Sequence, residues 1–195
     1  MDPIVAILAG GRSRRMGRPK PSLVLGGKLL ISYPLDAARA AGLEPWVVAK
    51  RGSELPPTDC RVLLEPDEPH HPLLGVATAL REARPAPVIA VAADMPFVTA
   101  ELLCRLASAE GSATVEAEGR PQPLLARYDP TALEALEQAL AADAAAIAAL
   151  AELEPETIGE AELRRFGDPR LICFNVNSPA DLERAERLLD PEPAA

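Results

Sequence analysis

Cysteine and lysine are both scarce in this 195-residue chain. Its three cysteines, Cys60, Cys104 and Cys173, are odd in number and far apart, and no C-x-x-C pair occurs. That argues against a disulfide framework or a cysteine zinc site and leaves ordinary buried or half-buried thiols. Three lysines stand against seventeen arginines, and Ala and Pro abound. This is a compositional bias, so the Ala-rich stretch from Ala139 to Ala151 reads as packing. No apolar run approaches the roughly 20 residues that span a bilayer. The start, Met1-Asp2-Pro3-Ile4-Val5, lacks the basic segment and cleavage site of a signal peptide. A cytoplasmic protein with no membrane partner is therefore expected. A net charge of −9 speaks against a nucleic-acid partner. Two familiar phosphate loops are also missing, the dinucleotide fingerprint G-x-G-x-x-G and the P-loop ending G-K-[ST].

What is present suits one domain over residues 1–190, with a disordered tail over 191–195. Hydrophobic residues make up 48% of the chain, enough for a sizeable core. Buried strands are expected at Ile4–Leu8, Pro45–Ala49, Arg61–Leu64 and Val88–Ala93, with weaker ones at Ala113–Glu116 and Leu124–Tyr128. Leu171–Phe174 also reads as a strand. Gly26-Gly27 marks a turn between Leu23-Val24-Leu25 and Leu29-Leu30. Helices are expected at Ser32–Ala41, Leu74–Arg84, Thr99–Ser108, Pro130–Ala141, Ala144–Leu153 and Ser178–Leu189. Gly42 is the stop of the first, Thr99 the N-cap of the third, and Ser178-Pro179 the start of the last. The polar piece from Gly159 to Asp168 carries no clear pattern. Alternating strands and helices imply a three-layer α/β fold with a mainly parallel sheet and ligands beyond the strands' carboxyl ends.

Three segments carry chemistry. The first runs from Leu8 to Lys20, L-A-G-G-R-S-R-R-M-G-R-P-K, and follows a strand. Gly10 and Gly11 let the backbone approach a phosphate and point N–H groups at it. Arg12, Arg14, Arg15, Arg18 and Lys20 make a local anion site on an acidic chain, and Arg15 and Lys20 can neutralise phosphate charge. The second is Asp94-Met95-Pro96, where a carboxylate at a strand end can hold Mg²⁺, a hard cation that bridges phosphates. The third is Asn175-Val176-Asn177-Ser178-Pro179-Ala180-Asp181-Leu182. Its two asparagines, at i and i+2, offer amide donors and acceptors on one side of a strand end. His70-His71, between prolines, lacks a third ligand nearby in sequence and reads as a loop pair.

These segments, in this order, resemble the molybdenum cofactor guanylyltransferases, the MobA family. The opening looks like L-A-G-G-x-S-x-R-M-G-x-x-K, Asp94-Met95-Pro96 matches D-x-P, and Asn175 to Leu182 matches N-V-N-[ST]-P-x-D-L. Gln122-Pro123-Leu124-Leu125-Ala126-Arg127-Tyr128 is similar to the family's Q-P-L-x-A-x-Y. Three positions differ from the family pattern. His71-Pro72-Leu73-Leu74-Gly75 stands for G-P-L-x-G, Ala49 stands where some members carry Asn, and 143–149 lacks arginine.

The resemblance implies a Rossmann-like nucleotidyltransferase fold and GMP transfer from GTP to molybdopterin or molybdenum-molybdopterin, with release of pyrophosphate. It implies nucleotide contacts at Leu8, Ala9, Gly10, Gly11, Lys20, Asp67 and Asp94. Arg15, Lys20 and Asp94 would be catalytic, Asp94 and Asn177 would hold Mg²⁺, and Asn175 and Asn177 would grip the acceptor. Other proteins of molybdenum cofactor biosynthesis, and molybdoenzymes, would be partners. The residues themselves also admit a transferase that uses CTP or another phosphorylated acceptor, or a non-catalytic nucleotide-binding partner in cofactor delivery.

Overall fold

The computed structural model describes residues 1–10 and 20–189. Ile4–Leu8 forms strand β1, almost wholly buried. A small antiparallel ladder follows, β2 (Val24–Leu25) and β3 (Lys28–Leu29). Gly26 and Gly27 have φ of 55° and 78° at its tip, the left-handed pair that a two-residue hairpin turn requires. Helix α1 (Ser32–Ala40) carries Pro34 in its first turn and ends where Gly42 takes φ 72°. Strands β4 (Glu44–Lys50) and β5 (Arg61–Glu65), helix α2 (Leu74–Ala83) and strand β6 (Val88–Ala92) complete the first half.

The second half begins with α3 (Ala100–Ala107), whose N-cap Thr99 accepts from the Leu102 N–H. A hairpin joins β7 (Ala113–Ala117) to β8 (Arg120–Tyr128). Then come α4 (Leu133–Ala141), α5 (Ala146–Ala151), β9 (Glu156–Ile158), α6 (Glu160–Leu163), α7 (Pro169–Ile172) and α8 (Pro179–Leu189). The strand expected at Leu171–Phe174 is therefore a correction: that segment belongs to helical turn α7. Asp168 accepts from the Arg170 N–H, and Pro169 sits in the first turn. This helix-start signal overrides a short apolar run. The sheet position beside β7 is taken instead by β9, whose Ile158 is buried. The polar piece after it contains α6.

Seven strands line up as β5-β4-β1-β6-β8-β7-β9. β5, β4, β1 and β6 are mutually parallel, β8 runs antiparallel to β6 and β7, and β9 is parallel to β7. Each face of the sheet has its own core. Val5, Ile7, Val47 and Ile89 pack toward Leu35, Leu102 and Leu106 of α1 and α3. Ala6, Trp46, Val48 and Tyr128 pack toward Val76, Leu80, Leu136 and Leu150 of α2, α4 and α5. The result is three layers. From β1 the chain goes first to β4 and β5 on one side, then returns through α2 to β6 on the other. The carboxyl end of β1 is thus a topological switch point, where a parallel sheet opens a crevice for a ligand.

Candidate active site

The crevice is a cavity of about 510 Å³ above the ends of β1, β4, β5 and β6. Leu8, Ala9 and Gly10 form its floor, with Val48 and Lys50 from β4, Glu65 from β5, Ala92 to Asp94 from β6 and Gly75 from α2. Hydrogen bonds carry the ladder past the strand ends: Ala9 N donates to Val48 O at 2.8 Å and Ala93 N to Leu8 O at 3.1 Å. Leu8 and Ala9 are therefore held beside the turn that bears Asp94 on sheet backbone rather than on independent loops.

At one end of the cavity, Lys20, Asp94 and Asn177 converge from three distant segments. The Lys20 ammonium donates to Asp94 Oδ2 at 2.6 Å and also to Asn177 Oδ1. A third small core holds this arrangement. Leu23, just after Lys20, packs with Leu25, Leu30, Val176 and Ala185, with Phe97 and Phe174 against them. The Val176 N–H donates to the Asp94 carbonyl at 2.9 Å, so Asn177 is tied to the turn that bears Asp94. Asp181 then fixes Asn177: its Oδ2 accepts from the Asn177 N–H at 3.0 Å and from the Ser178 hydroxyl at 2.8 Å, while Ser178 Oγ accepts from the Asp181 N–H. This is a reciprocal cap at the start of α8. The Ser178 hydroxyl, helped by the two backbone N–H groups, holds the Asp181 carboxyl below its ordinary value.

At the other end sits a carboxylate that motif reading passed over. Glu65 ends β5, and a Cβ on Gly10 would stand 2.1 Å from its Oε1, one on Gly75 2.9 Å from its Oε2. Both glycines are thus required for the carboxylate to lie where it does. Burial raises the Glu65 pKa, and the Lys50 ammonium at 3.7 Å partly opposes that rise. Lys50 also donates to the carbonyls of Pro66 and Asp67, at 2.9 Å each.

Family comparison agrees with this geometry. Residues 5–157 match the model of the MobA-like NTP transferase domain. The chain belongs to this family. It is 36% identical over 198 residues to a molybdenum cofactor guanylyltransferase of Cereibacter sphaeroides, covering 94% of this chain and 95% of that one. A molybdenum cofactor guanylyltransferase of Rhizobium johnstonii is 31% identical over 210 residues, with 94% and 91% covered. Among solved structures, molybdopterin-guanine dinucleotide biosynthesis protein A of Archaeoglobus fulgidus superposes with a TM-score of 0.80 at 27% identity, over 96% and 99% of the two chains. The 2-C-methyl-D-erythritol 4-phosphate cytidylyltransferase of Thermus thermophilus shares the fold, with a TM-score of 0.69 at 23% identity over 96% and 98%.

Leu8, Ala9, Gly10, Lys20 and Asp94 line one cavity. Gly11 and Arg15 lie outside the described residues. Asp67 is exposed and does not line the cavity; its carbonyl serves Lys50. Asn177 joins the cluster, whereas the Asn175 amide donates to the Cys173 carbonyl at 3.0 Å and turns toward its own chain. His71 is a structural hinge pin: Nδ1 accepts from the Leu73 N–H at 3.1 Å and Nε2 lies 2.7 Å from the Ala144 carbonyl. It joins the cavity wall to the turn between α4 and α5, and the neutral ring with its proton on Nε2 satisfies both contacts. Among the described residues no cluster of three His, Cys, Asp or Glu could hold a metal. The oxygens of Asp94 and Asn177 nevertheless suit Mg²⁺, which uses one or two protein oxygens and takes the rest from water and phosphates. A cation, the Lys20 ammonium, already bridges these two oxygens. Burial pushes the Cys173 thiol up to about 11, which keeps it protonated and unreactive at neutral pH. No described helix is long and apolar enough to cross a membrane.

Proposed function

We propose that this chain transfers GMP from GTP to molybdopterin or its molybdenum-loaded form, releasing pyrophosphate, in the cytoplasm. The reading is carried by the Lys20–Asp94–Asn177 cluster at the switch-point crevice of a MobA-like transferase. The acceptor's terminal phosphate oxygen forms a bond to the α-phosphorus of GTP as the bond to the β-phosphate oxygen breaks, and pyrophosphate leaves. A phosphate monoester has its second pKa near about 6, so the attacking group is already largely dianionic and needs no strong base. Catalysis then rests on positioning and charge neutralisation. The backbone of Leu8 to Gly11 holds the nucleotide, and Lys20 with Arg15 offsets charge on the triphosphate and the leaving pyrophosphate. Asp94 and Asn177 would hold Mg²⁺, which when bound supplies further neutralisation across phosphate oxygens. Asn177, which joins the cluster, would also grip the acceptor phosphate. Hand-over of the product to other cofactor-biosynthesis proteins and molybdoenzymes belongs to the same reading.

Base choice follows from Glu65. With the phosphates at the Lys20–Asp94 end, the base falls at the Glu65 end of the cavity. Guanine presents N1–H and its exocyclic amine side by side, two donors for one carboxylate. Adenine and cytosine each present one amine beside a ring-nitrogen acceptor, which faces the carboxylate unpaired. Such mismatches give roughly 10- to 10³-fold discrimination. The deciding assay measures pyrophosphate release from GTP, CTP and ATP with molybdopterin as acceptor. GTP should be preferred by at least about tenfold in kcat/KM. Equal turnover of CTP would end the guanylyl assignment and leave the phosphate site standing.

A further inference from the structure

Lys20 does two jobs that exclude each other. Neutralising the triphosphate requires its ammonium to point at phosphate, yet here it bridges Asp94 Oδ2 at 2.6 Å and Asn177 Oδ1. These are the two oxygens that suit a divalent metal. An ion bound to the same pair at roughly 2.0–2.1 Å would fall on the ammonium. We propose that the Lys20 ammonium and the divalent metal are alternative occupants of one position between Asp94 and Asn177, and that nucleotide phosphates draw Lys20 out to admit the metal.

Three observations carry this. Lys20 opens a short turn, Lys20–Ser22, so its side chain can swing while Leu23 stays anchored in the small core. The Asp94 and Asn177 backbones cannot follow it. The Asp94 carbonyl is bonded to the Val176 N–H, and the Asn177 N–H is bonded to Asp181. The backbones that carry the oxygen pair are therefore fixed while its cation is exchangeable. Lys20 and Asp94 also both line the nucleotide cavity, so incoming phosphate lies within reach of the ammonium. The consequence is an order of assembly. Metal without nucleotide must compete with a resident cation, whereas metal arriving with a polyphosphate enters as Lys20 leaves. Charge on the oxygen pair is offset throughout.

The inference rests on the phosphate-transfer reading for its choice of nucleotide, but the test uses neither GTP nor acceptor and so can fail separately. Mn²⁺ is titrated into the full chain and followed by electron paramagnetic resonance. Lys20→Met keeps the length and removes the charge, and circular dichroism checks the fold. Lys20→Met should bind Mn²⁺ at least about tenfold more tightly than the unmodified chain, because the competing cation is gone. Adding Asp94→Asn in the same chain should abolish the gain. Equal or weaker Mn²⁺ binding by Lys20→Met would overturn the proposal. So would a gain that survives Asp94→Asn, since the ion would then sit elsewhere on an acidic surface.

Discussion

At the scale of single residues, the chain's economy with lysine is informative. Of its three lysines, Lys20 and Lys50 both line the cavity, in a chain that uses arginine seventeen times. An ammonium is a compact point charge on a flexible stem, closer in shape to a metal ion than a planar guanidinium fork is. Lys20→Ala should lower kcat/KM by on the order of 10²-fold, as loss of a transition-state charge partner does. A change under threefold would make Lys20 a bystander. Asp94→Asn keeps the volume and removes the charge, so turnover should nearly vanish while the circular dichroism spectrum holds. Near-normal activity in saturating Mg²⁺ would remove Asp94 from the mechanism.

Glu65 sets function against stability. Its pKa is raised on folding by burial, against the opposing Lys50 ammonium, so the folded chain takes up this proton more readily than the unfolded one. Its contribution to stability is present in full below the ordinary value of 4.5 and is lost as pH rises through the raised value. At neutral pH the buried charge therefore opposes folding. Glu65→Gln should raise the thermal midpoint at pH 7 and erase the preference for GTP over ATP. Because only the carboxylate accepts both guanine donors, GTP affinity in the unmodified chain should fall with acid at a pH above 4.5. The check is a calorimetric GTP titration at several pH values, in parallel with Glu65→Gln. An unchanged base preference in the variant would take Glu65 out of recognition.

At the scale of elements, the active site depends on the cap that starts α8. Asp181→Ala removes the carboxylate half of that cap, at a cost of about 0.5–2 kcal/mol, or roughly 1–8 °C in Tm for a domain this size. It also frees the Asn177 backbone, so activity should fall further than the stability loss alone would explain. The folded pKa of Asp181 is lowered, so its contribution is present above the ordinary 3.8 and is lost as pH falls through the depressed value. The Tm difference between Asp181→Ala and the parent should therefore shrink only in strong acid. Elements were legible in sequence where the pattern was dense. β1 and β6 are apolar runs buried on both faces of the sheet, and α1, α3 and α8 carry their own stop or start signals. β9 was not legible, because Glu156-Thr157-Ile158 buries one side chain and owes its form to pairing with β7. The site divides in the same way. Lys20, Asp94 and Asn177 sit in local motifs, whereas Glu65 gains its place only because Gly10 and Gly75, far apart in sequence, leave room for it.

At the scale of the whole molecule, the crevice is a junction rather than a surface feature. One bound nucleotide would touch the ends of four strands, the start of α2 and, through Asn177, the small core under α8. Because the crevice joins these segments, ligand binding should be felt as global stability rather than local ordering. Binding to the native state alone adds about 2.7 kcal/mol at a hundredfold excess over Kd. With roughly 2–4 °C per kcal/mol for a domain of this size, GTP with Mg²⁺ should raise Tm by roughly 5–11 °C. A tenfold weaker ligand at the same concentration loses nearly 1.4 kcal/mol of that gain, which is a resolvable difference. CTP and ATP should therefore protect measurably less than GTP, and inorganic triphosphate less again, because it fills the Lys20 end and leaves Glu65 unpaired. The Glu65→Gln variant should compress the gap between GTP and ATP. If all three nucleotides protect the unmodified chain equally, and no more than triphosphate does, the cavity is a phosphate site without a base reader.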